Sequence, residues 1–229
     1  MKKINHRKTA VIVGILFIIA TVAYSIGVFT LEPFQNIPNY FAKYSENKSL
    51  ITIGASLVLI DAIAVAAIGI AMYSILKKQN SPLALGYAGA RIIESVLFAI
   101  SVIPMLTLVT LSQKLDIGVN DTSYYQALGN LLIESGYWAY LIGLGVVFAI
   151  SALILNYLLY QSKLVPRWIS TLGFLGGVLI FINYLLESFG VNPIELLFLP
   201  IAVQEMILAL WLIFKGFNSV AIKNLYLNN

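Results

Sequence analysis

Asp61, Arg91, Glu94 and Glu205 sit in stretches whose other residues are almost all apolar. A charged side chain at the centre of a bilayer costs about 2.5–3.5 kcal/mol on insertion scales, so such a group faces protein rather than lipid and has a partner. Arg91 and Glu94 are three residues apart and share a helix face. The planar fork of Arg91 can hold a carboxylate through two hydrogen bonds, and Glu205 is its natural second partner. Three acids against one permanent cation would carry about −2 in a low-dielectric site if all were ionised. At least one acid, Asp61 first, is therefore expected to be protonated at neutral pH or to hold a cation. Tyr87, Gln204 and Asn183 are candidates for neutral hydrogen bonds around the cluster.

Depth supports the grouping. At about 1.5 Å per residue, Arg91 lies about 14 Å and Glu94 about 18 Å beyond Pro82, Glu205 about 15 Å from Lys215, and Asp61 about 24 Å from Lys77. Three of the four share a level near mid-membrane, and Asp61 lies about one turn further on. The arrangement requires that the second, third and sixth apolar segments turn these groups toward one another.

The elements that must do so follow from composition. Of 229 residues, 60% are hydrophobic and 10% charged, against about 25% charged in soluble domains, which makes this a membrane protein. No polar block is long enough for a second, soluble domain. Cysteine is absent and the single histidine, His6, lies in the basic N-terminal tail. Disulfides, thiolate metal sites and histidine-ligated zinc inside the membrane are thus excluded, and no metal or cofactor is expected.

Six apolar segments, at about 9–29, 50–76, 82–111, 137–160, 168–186 and 196–214, each approach or exceed the ~20 residues that cross a bilayer. The fold class is therefore all-α, a polytopic bundle of six helices in a single domain. The second and third segments are long, and Pro104 predicts a kink in the third. Ala23-Tyr24-Ser25 has some likeness to a cleavage site, but the first apolar run reaches Phe29, longer than the ~7–15 residues of a secretory core. An uncleaved first helix is expected.

With the N-terminus in the cytoplasm, the inner segments hold Lys2, Lys3, Arg7, Lys8, Lys77, Lys78, Lys163, Arg167, Lys215 and Lys223, and no acid. The outer segments hold Lys43, Lys48 and Lys114 against Glu32, Glu46, Asp116, Asp121, Glu134, Glu187 and Glu195. This asymmetry places both termini in the cytoplasm and the chain in the plasma membrane. Trp138, Trp168 and Trp211 fall near the expected interfaces. In the outer loops, Asp121-Thr122-Ser123 can cap a short helix from Tyr124 to Ile133, lying on the surface or extending the fourth span. Pro33 and Pro38 argue against a continuous helix across 31–49.

Tyr73, Pro82 and Gly89 share their spacing with Tyr157, Pro166 and Gly173, a faint internal echo across the two inward hairpins. Gly173/Gly177, Gly86/Ala90 and Gly145/Ala149 each place two small residues on one face, for packing within the chain or for a homodimer.

Three stretches carry a resemblance: Leu83-Ala84-Leu85-Gly86-Tyr87-Ala88 running into Arg91-Ile92-Ile93-Glu94; Tyr157-Leu158-Leu159-Tyr160-Gln161-Ser162 with Pro166-Arg167-Trp168; and Pro200 with Gln204-Glu205, Trp211-Leu212 and Lys215-Gly216-Phe217. Together they resemble the bacterial membrane-protein family catalogued as domain of unknown function 4386. The resemblance implies a multi-spanning bacterial membrane protein and no particular reaction. Arg91, Glu94 and Glu205 fall inside the matching stretches, and Asp61 does not.

Three functions compete. An acidic mid-membrane cluster suits a small-molecule or ion carrier, coupled to protons; six spans are few for one carrier, which favours a homodimer. Paired carboxylates also suit an enzyme acting on lipid, though no histidine lies in a span and no G-x-S-x-G nucleophile motif is present. The third reading is a non-catalytic sensor or assembly module in which the charges set helix register. Nucleic acid is excluded as a partner because the basic residues are dispersed over short segments; contact with anionic lipid heads suits them better.

Overall fold

The computed structural model describes residues 6–34, 40–115 and 122–227. Lys2, Lys3, Pro38, Asp116 and Asp121, including the cap proposed at Asp121, lie outside the described residues. Among the described residues every regular element is helical: α1 (His6–Leu31), α2 (Tyr40–Glu46), α3 (Lys48–Leu76), α4 (Ser81–Leu115), α5 (Thr122–Leu141), α6 (Ala149–Ser162), α7 (Arg167–Ser188), α8 (Leu199–Phe214) and α9 (Ser219–Leu227). A π-helical segment, Ile142–Phe148, joins α5 to α6, and short 3-10 turns occur at Glu32–Phe34 and Glu195–Phe198.

Six stretches are long and apolar enough to cross a membrane: His6–Phe34, Lys48–Leu76, Ser81–Lys114, Tyr124–Ser162, Arg167–Ser188 and Glu195–Phe214. Helices are required there because the hydrocarbon interior offers backbone amides and carbonyls no hydrogen-bond partner. The chain is a multi-pass membrane protein. Its patterning is inverted relative to a soluble bundle. On α1, Ile12, Ile15, Ile19, Val22 and Ile26 are exposed, whereas Ala10, Val13, Phe17, Ala20 and Ala23 are buried. On α3, Ile53, Ile60, Ile63 and Ile70 face outward while Asp61 is buried.

The spans form a closed ring in chain order. α1 packs on α3, α3 on α4, α4 on α6 and the π segment, α6 on α7, α7 on α8, and α8 back on α1. Closure needs close backbone approach. A Cβ at Gly14 of α1 would stand 2.6 Å from the Ala209 carbonyl oxygen of α8. At the end of the same seam, the Arg7 guanidinium donates to the carbonyls of Leu212 (3.1 Å), Ile213 (2.6 Å) and Phe214 (3.3 Å), satisfying the otherwise unpaired C-terminus of α8. His6 is therefore not part of a free tail; it begins α1, and its ring lies 5.1 Å from that of Tyr226 in α9. Lys78 sits over the Tyr226 ring as well. The start of α1, the end of α9 and the hairpin between α3 and α4 thus occupy one end of the bundle, as an even number of spans demands.

Several local expectations are refined. The fourth span is 39 residues long and begins at Tyr124. The helix expected at 124–133 is its extension, because Leu132 and Ile133 pack on an apolar cluster built from Leu31, Phe34, Tyr44, Phe98 and Leu108. α4 runs on through Pro104 to Leu115. Pro200 stands in the first turn of α8, where its missing N–H removes no helical bond. The chain across 31–49 is broken, with Pro33 in the 3-10 turn and a separate α2. Two of the three small-residue faces pack inside the chain, where Gly173 meets Asn156, Gly177 meets Leu153 and Gly145 meets Tyr184, whereas Gly86 on the third is exposed.

The α1–α8 seam yields a test. Gly14→Ala forces a methyl group against backbone and costs about 1–3 kcal/mol of overpacking, whereas Gly89, which has open space around it, accepts alanine freely. Thermal unfolding in detergent, read by tryptophan fluorescence, is expected to fall by several degrees for Gly14→Ala and not for Gly89→Ala.

Candidate functional site

Three apolar clusters meet part-way along the ring, and between them lies a cavity of about 300 Å³. All six spans contribute to its wall: Phe17, Ala20 and Tyr24 from α1, Asp61 and Val65 from α3, Arg91, Glu94 and Phe98 from α4, Tyr140, Leu144 and Phe148 from the fourth span, Ile180 and Tyr184 from α7, and Ile201, Ala202 and Glu205 from α8. The four charged residues that the sequence singles out thus line one space.

Arg91 organises it. The residue is 3% exposed and Glu94 1%. Arg91 Nη1 donates to both carboxylate oxygens of Glu94, at 3.0 and 3.1 Å. Nη2 faces Glu205 Oε1 at 3.9 Å, an ion pair beyond hydrogen-bond length. The guanidinium is therefore divided between two acids rather than clamping one with both arms. The first pair lies along α4. The second crosses the interior, because α4 and α8 are not neighbours in the ring.

The positions of these side chains are set by their surroundings. Gly69 of α3 clears the way for Arg91, since a Cβ there would lie 2.8 Å from the arginine Cβ. Phe17 and Phe148 flank the guanidinium carbon at 5.7 and 5.6 Å, an arrangement in which ring faces attract the cation and exclude water. Ser151 lies 3.5 Å from Glu94 Oε2 and also donates to the Phe148 carbonyl. Asp61 is 3% exposed, and its Oδ2 has no hydrogen-bond partner. A buried polar atom left unpaired costs about 1–3 kcal/mol, so a native structure seldom keeps one without reason.

The neutral candidates separate. Tyr87 and Gln204 line a small adjoining space with Arg91 and Glu205. The Tyr87 hydroxyl is buried without a partner, whereas Gln204 Nε2 donates to Asn156 Oδ1 at 3.2 Å. Asn183 is placed elsewhere: its Oδ1 accepts from the Ile194 backbone amide at 2.8 Å and ties α7 to the chain before α8. Among the described residues no three acid, histidine or cysteine side chains converge in a metal-binding set.

A group of aromatic residues was not foreseen from sequence. The Tyr24 and Tyr140 hydroxyls are 2.8 Å apart, and Tyr140 and Tyr184 are 3.3 Å apart. Phe98 stacks on Tyr24 at 5.8 Å and on Tyr140 at 6.5 Å. Tyr24, Phe98 and Tyr140 line the central cavity on one side and, on the other, a second cavity of about 480 Å³ that contains Glu134, Tyr137 and Glu187. They form a partition between two compartments. The π segment frames it, with Gly143 against Leu97 and Phe98 and Gly145 against Tyr184. Its wider turn lets Tyr140, Leu144 and Phe148, at four-residue spacing, all face inward; such segments occur frequently at functional sites. The available signal was the pair of closely spaced glycines in the fourth span, together with Thr21, Tyr24 and Ser25 deep in the first.

A closed ring of apolar helices around a titratable cavity defines a multi-pass membrane protein with an internal polar site. The chain belongs to the family described as Domain of unknown function (DUF4386), whose model matches residues 12–216 and so includes Asp61 with the other three charges. No curated protein and no solved structure matches the chain.

The pairing of Arg91 with Glu94 is testable. Arg91→Met strands Glu94 as a buried charge and is expected to cost about 3–5 kcal/mol. Arg91→Met combined with Glu94→Gln removes both members and should recover most of that loss. Chemical unfolding followed by tryptophan fluorescence measures both, and an unchanged midpoint for the single variant would show that the pair does not hold the bundle.

Proposed function

We propose that this protein is a carrier for a small cation, inorganic or organic, that exchanges with protons at the mid-membrane cavity. The observation that carries the reading is Asp61, whose Oδ2 is unpartnered beside a cavity where three carboxyl groups face a single guanidinium. Glu94 neutralises Arg91 at close range. Asp61, and the partly exposed Glu205 when it exchanges its long 3.9 Å pairing with Arg91, then receive either protons or one cationic ligand, which is the exchange an antiporter performs. The aromatic wall suits a cation with an apolar body.

The tyrosine partition provides the gate. Opening it joins the central cavity to the compartment of Glu134 and Glu187, whose charge favours cation entry. The opposite route is closed by Ile68, Met72, Leu155, Leu159, Leu208 and Leu212. Alternating access requires the two barriers to open in turn around a fixed site. One ring encloses the site, so a single chain suffices for the pathway, and a homodimer would add stability rather than complete it. The surplus of basic residues at the end that holds His6 and Tyr226 supports a cytoplasmic position for that end and a place for the protein in the plasma membrane.

Proteoliposomes with a trapped pH dye test this reading. Acid-loaded vesicles are diluted into sodium, potassium or tetraethylammonium salts, and lumenal alkalinisation is followed. The protein is expected to accelerate it with at least one of the three cations. Asp61→Asn and Glu205→Gln should each slow it at least about tenfold, equivalent to ~1.4 kcal/mol of barrier. Rates equal to those of empty vesicles for all three cations, or full rates in both variants, would refute the carrier.

A further inference from the structure

The end of the bundle that holds the chain termini carries a second recess, independent of the central cavity and of the transport reading. Its volume is about 730 Å³. One side is the connection between α6 and α7, from Lys163 to Arg167; the other is the end of α8 and the turn into α9, from Trp211 to Ser219. Three cations line it, Lys163, Arg167 and Lys215, and no acid does. Among the described residues the ion pairs are those of Arg91, so none of these three cations is neutralised by a carboxylate.

The recess is built rather than incidental. Leu164 and Val165 are buried and anchor the first connection. The Asn218 backbone amide donates to the Leu164 carbonyl at 2.9 Å and clasps the two walls together. The Asn218 side chain accepts from the amide of Val220 at 3.0 Å, so the same residue starts α9. Lys163 takes a left-handed backbone conformation, φ 55°, which ends α6 sharply. Arg167 is held over the Tyr160 ring at 4.7 Å. It begins α7, a helix end that carries partial positive charge and has no side-chain cap.

Position identifies the ligand. Trp168 and Phe214, next to the recess, are 55% and 73% exposed on the surface that the apolar spans present to lipid, and Trp211 lines the recess itself. Tryptophan at such a level marks the boundary between hydrocarbon and headgroups. A cationic recess opening at that boundary fits a phosphate ester whose acyl chains lie along the neighbouring apolar face. From this we propose that Lys163, Arg167 and Lys215 form a binding site for the headgroup of an anionic phospholipid.

The test uses the full chain in neutral detergent, titrated with dioctanoyl phosphatidylglycerol, dioctanoyl phosphatidylcholine or inorganic phosphate, and read by native mass spectrometry and tryptophan fluorescence. Saturable binding of the phosphatidylglycerol is expected, with the phosphatidylcholine and phosphate much weaker. Lys163→Gln/Lys215→Gln should raise the dissociation constant for phosphatidylglycerol at least about tenfold. Lys77→Gln/Lys223→Gln, which removes equal charge at the same end outside the recess, should change it less than about twofold. Both variants replace exposed side chains, and an unchanged unfolding midpoint confirms that they fold. Equal loss in the two variants would reduce the effect to diffuse surface charge and overturn the site. So would equal binding of phosphatidylcholine. Phosphate binding as tightly as the lipid would assign the recess to a free anion and overturn the lipid proposal.

Discussion

Arg91 is the constraint around which the rest of the bundle is arranged. A guanidinium cannot shed its charge and cannot be left in hydrocarbon, so the structure must bring acids, aromatic faces and backbone space to it. Glu94 comes from the same helix one turn on, Glu205 from across the interior, Phe17 and Phe148 from two further helices, and Gly69 yields the room. Five of the six spans are thereby committed to one side chain. In lipid, where burying apolar surface against another helix gains little over burying it in acyl chains, polar contacts and close packing supply most of the specificity of helix association.

The same constraint explains the inverted patterning. Isoleucine-rich faces point outward and small residues point inward, because close packing is what remains when the hydrophobic effect cannot drive the helices together. At the α1–α8 seam the ring closes through Gly14 against the Ala209 carbonyl and through Arg7 on the last turn of α8. A ring that closes end to end in chain order leaves an interior. The residues too polar for lipid fill that interior only partly, and a cavity results.

The cavity and its neighbour are separated by a layer of three aromatic side chains, Tyr24 and Tyr140 joined by their hydroxyls and Phe98 stacked on both. Toward the end that holds His6 and Tyr226 the interior is instead filled by Ile68, Met72, Leu155, Leu159, Leu208 and Leu212, with the Gln204–Asn156 hydrogen bond among them. The partition lies beside the π segment, where the helical hydrogen-bond ladder changes register.

Much of this was legible in the sequence. Hydropathy set six spans, five of them within a few residues and the fourth short of its start at Tyr124, the basic and acidic segments sorted themselves to opposite ends, and the cost of charge in hydrocarbon was enough to place Asp61, Arg91, Glu94 and Glu205 toward the interior. Those inferences rest on local, one-dimensional properties: length, polarity and helical spacing. Helix rotation and side-chain pairing depend on contacts between segments far apart in the chain, and only the tertiary structure decided them. It gave Gln204 to Asn156, drew Asn183 away to the Ile194 amide, divided Arg91 between two acids, and assembled Tyr24, Phe98, Tyr140 and Tyr184 from four spans. A tyrosine in an apolar run looks the same whether it faces lipid or a partner, and a π turn is not marked by composition. The energy that distinguishes these outcomes exists only once the ring has closed.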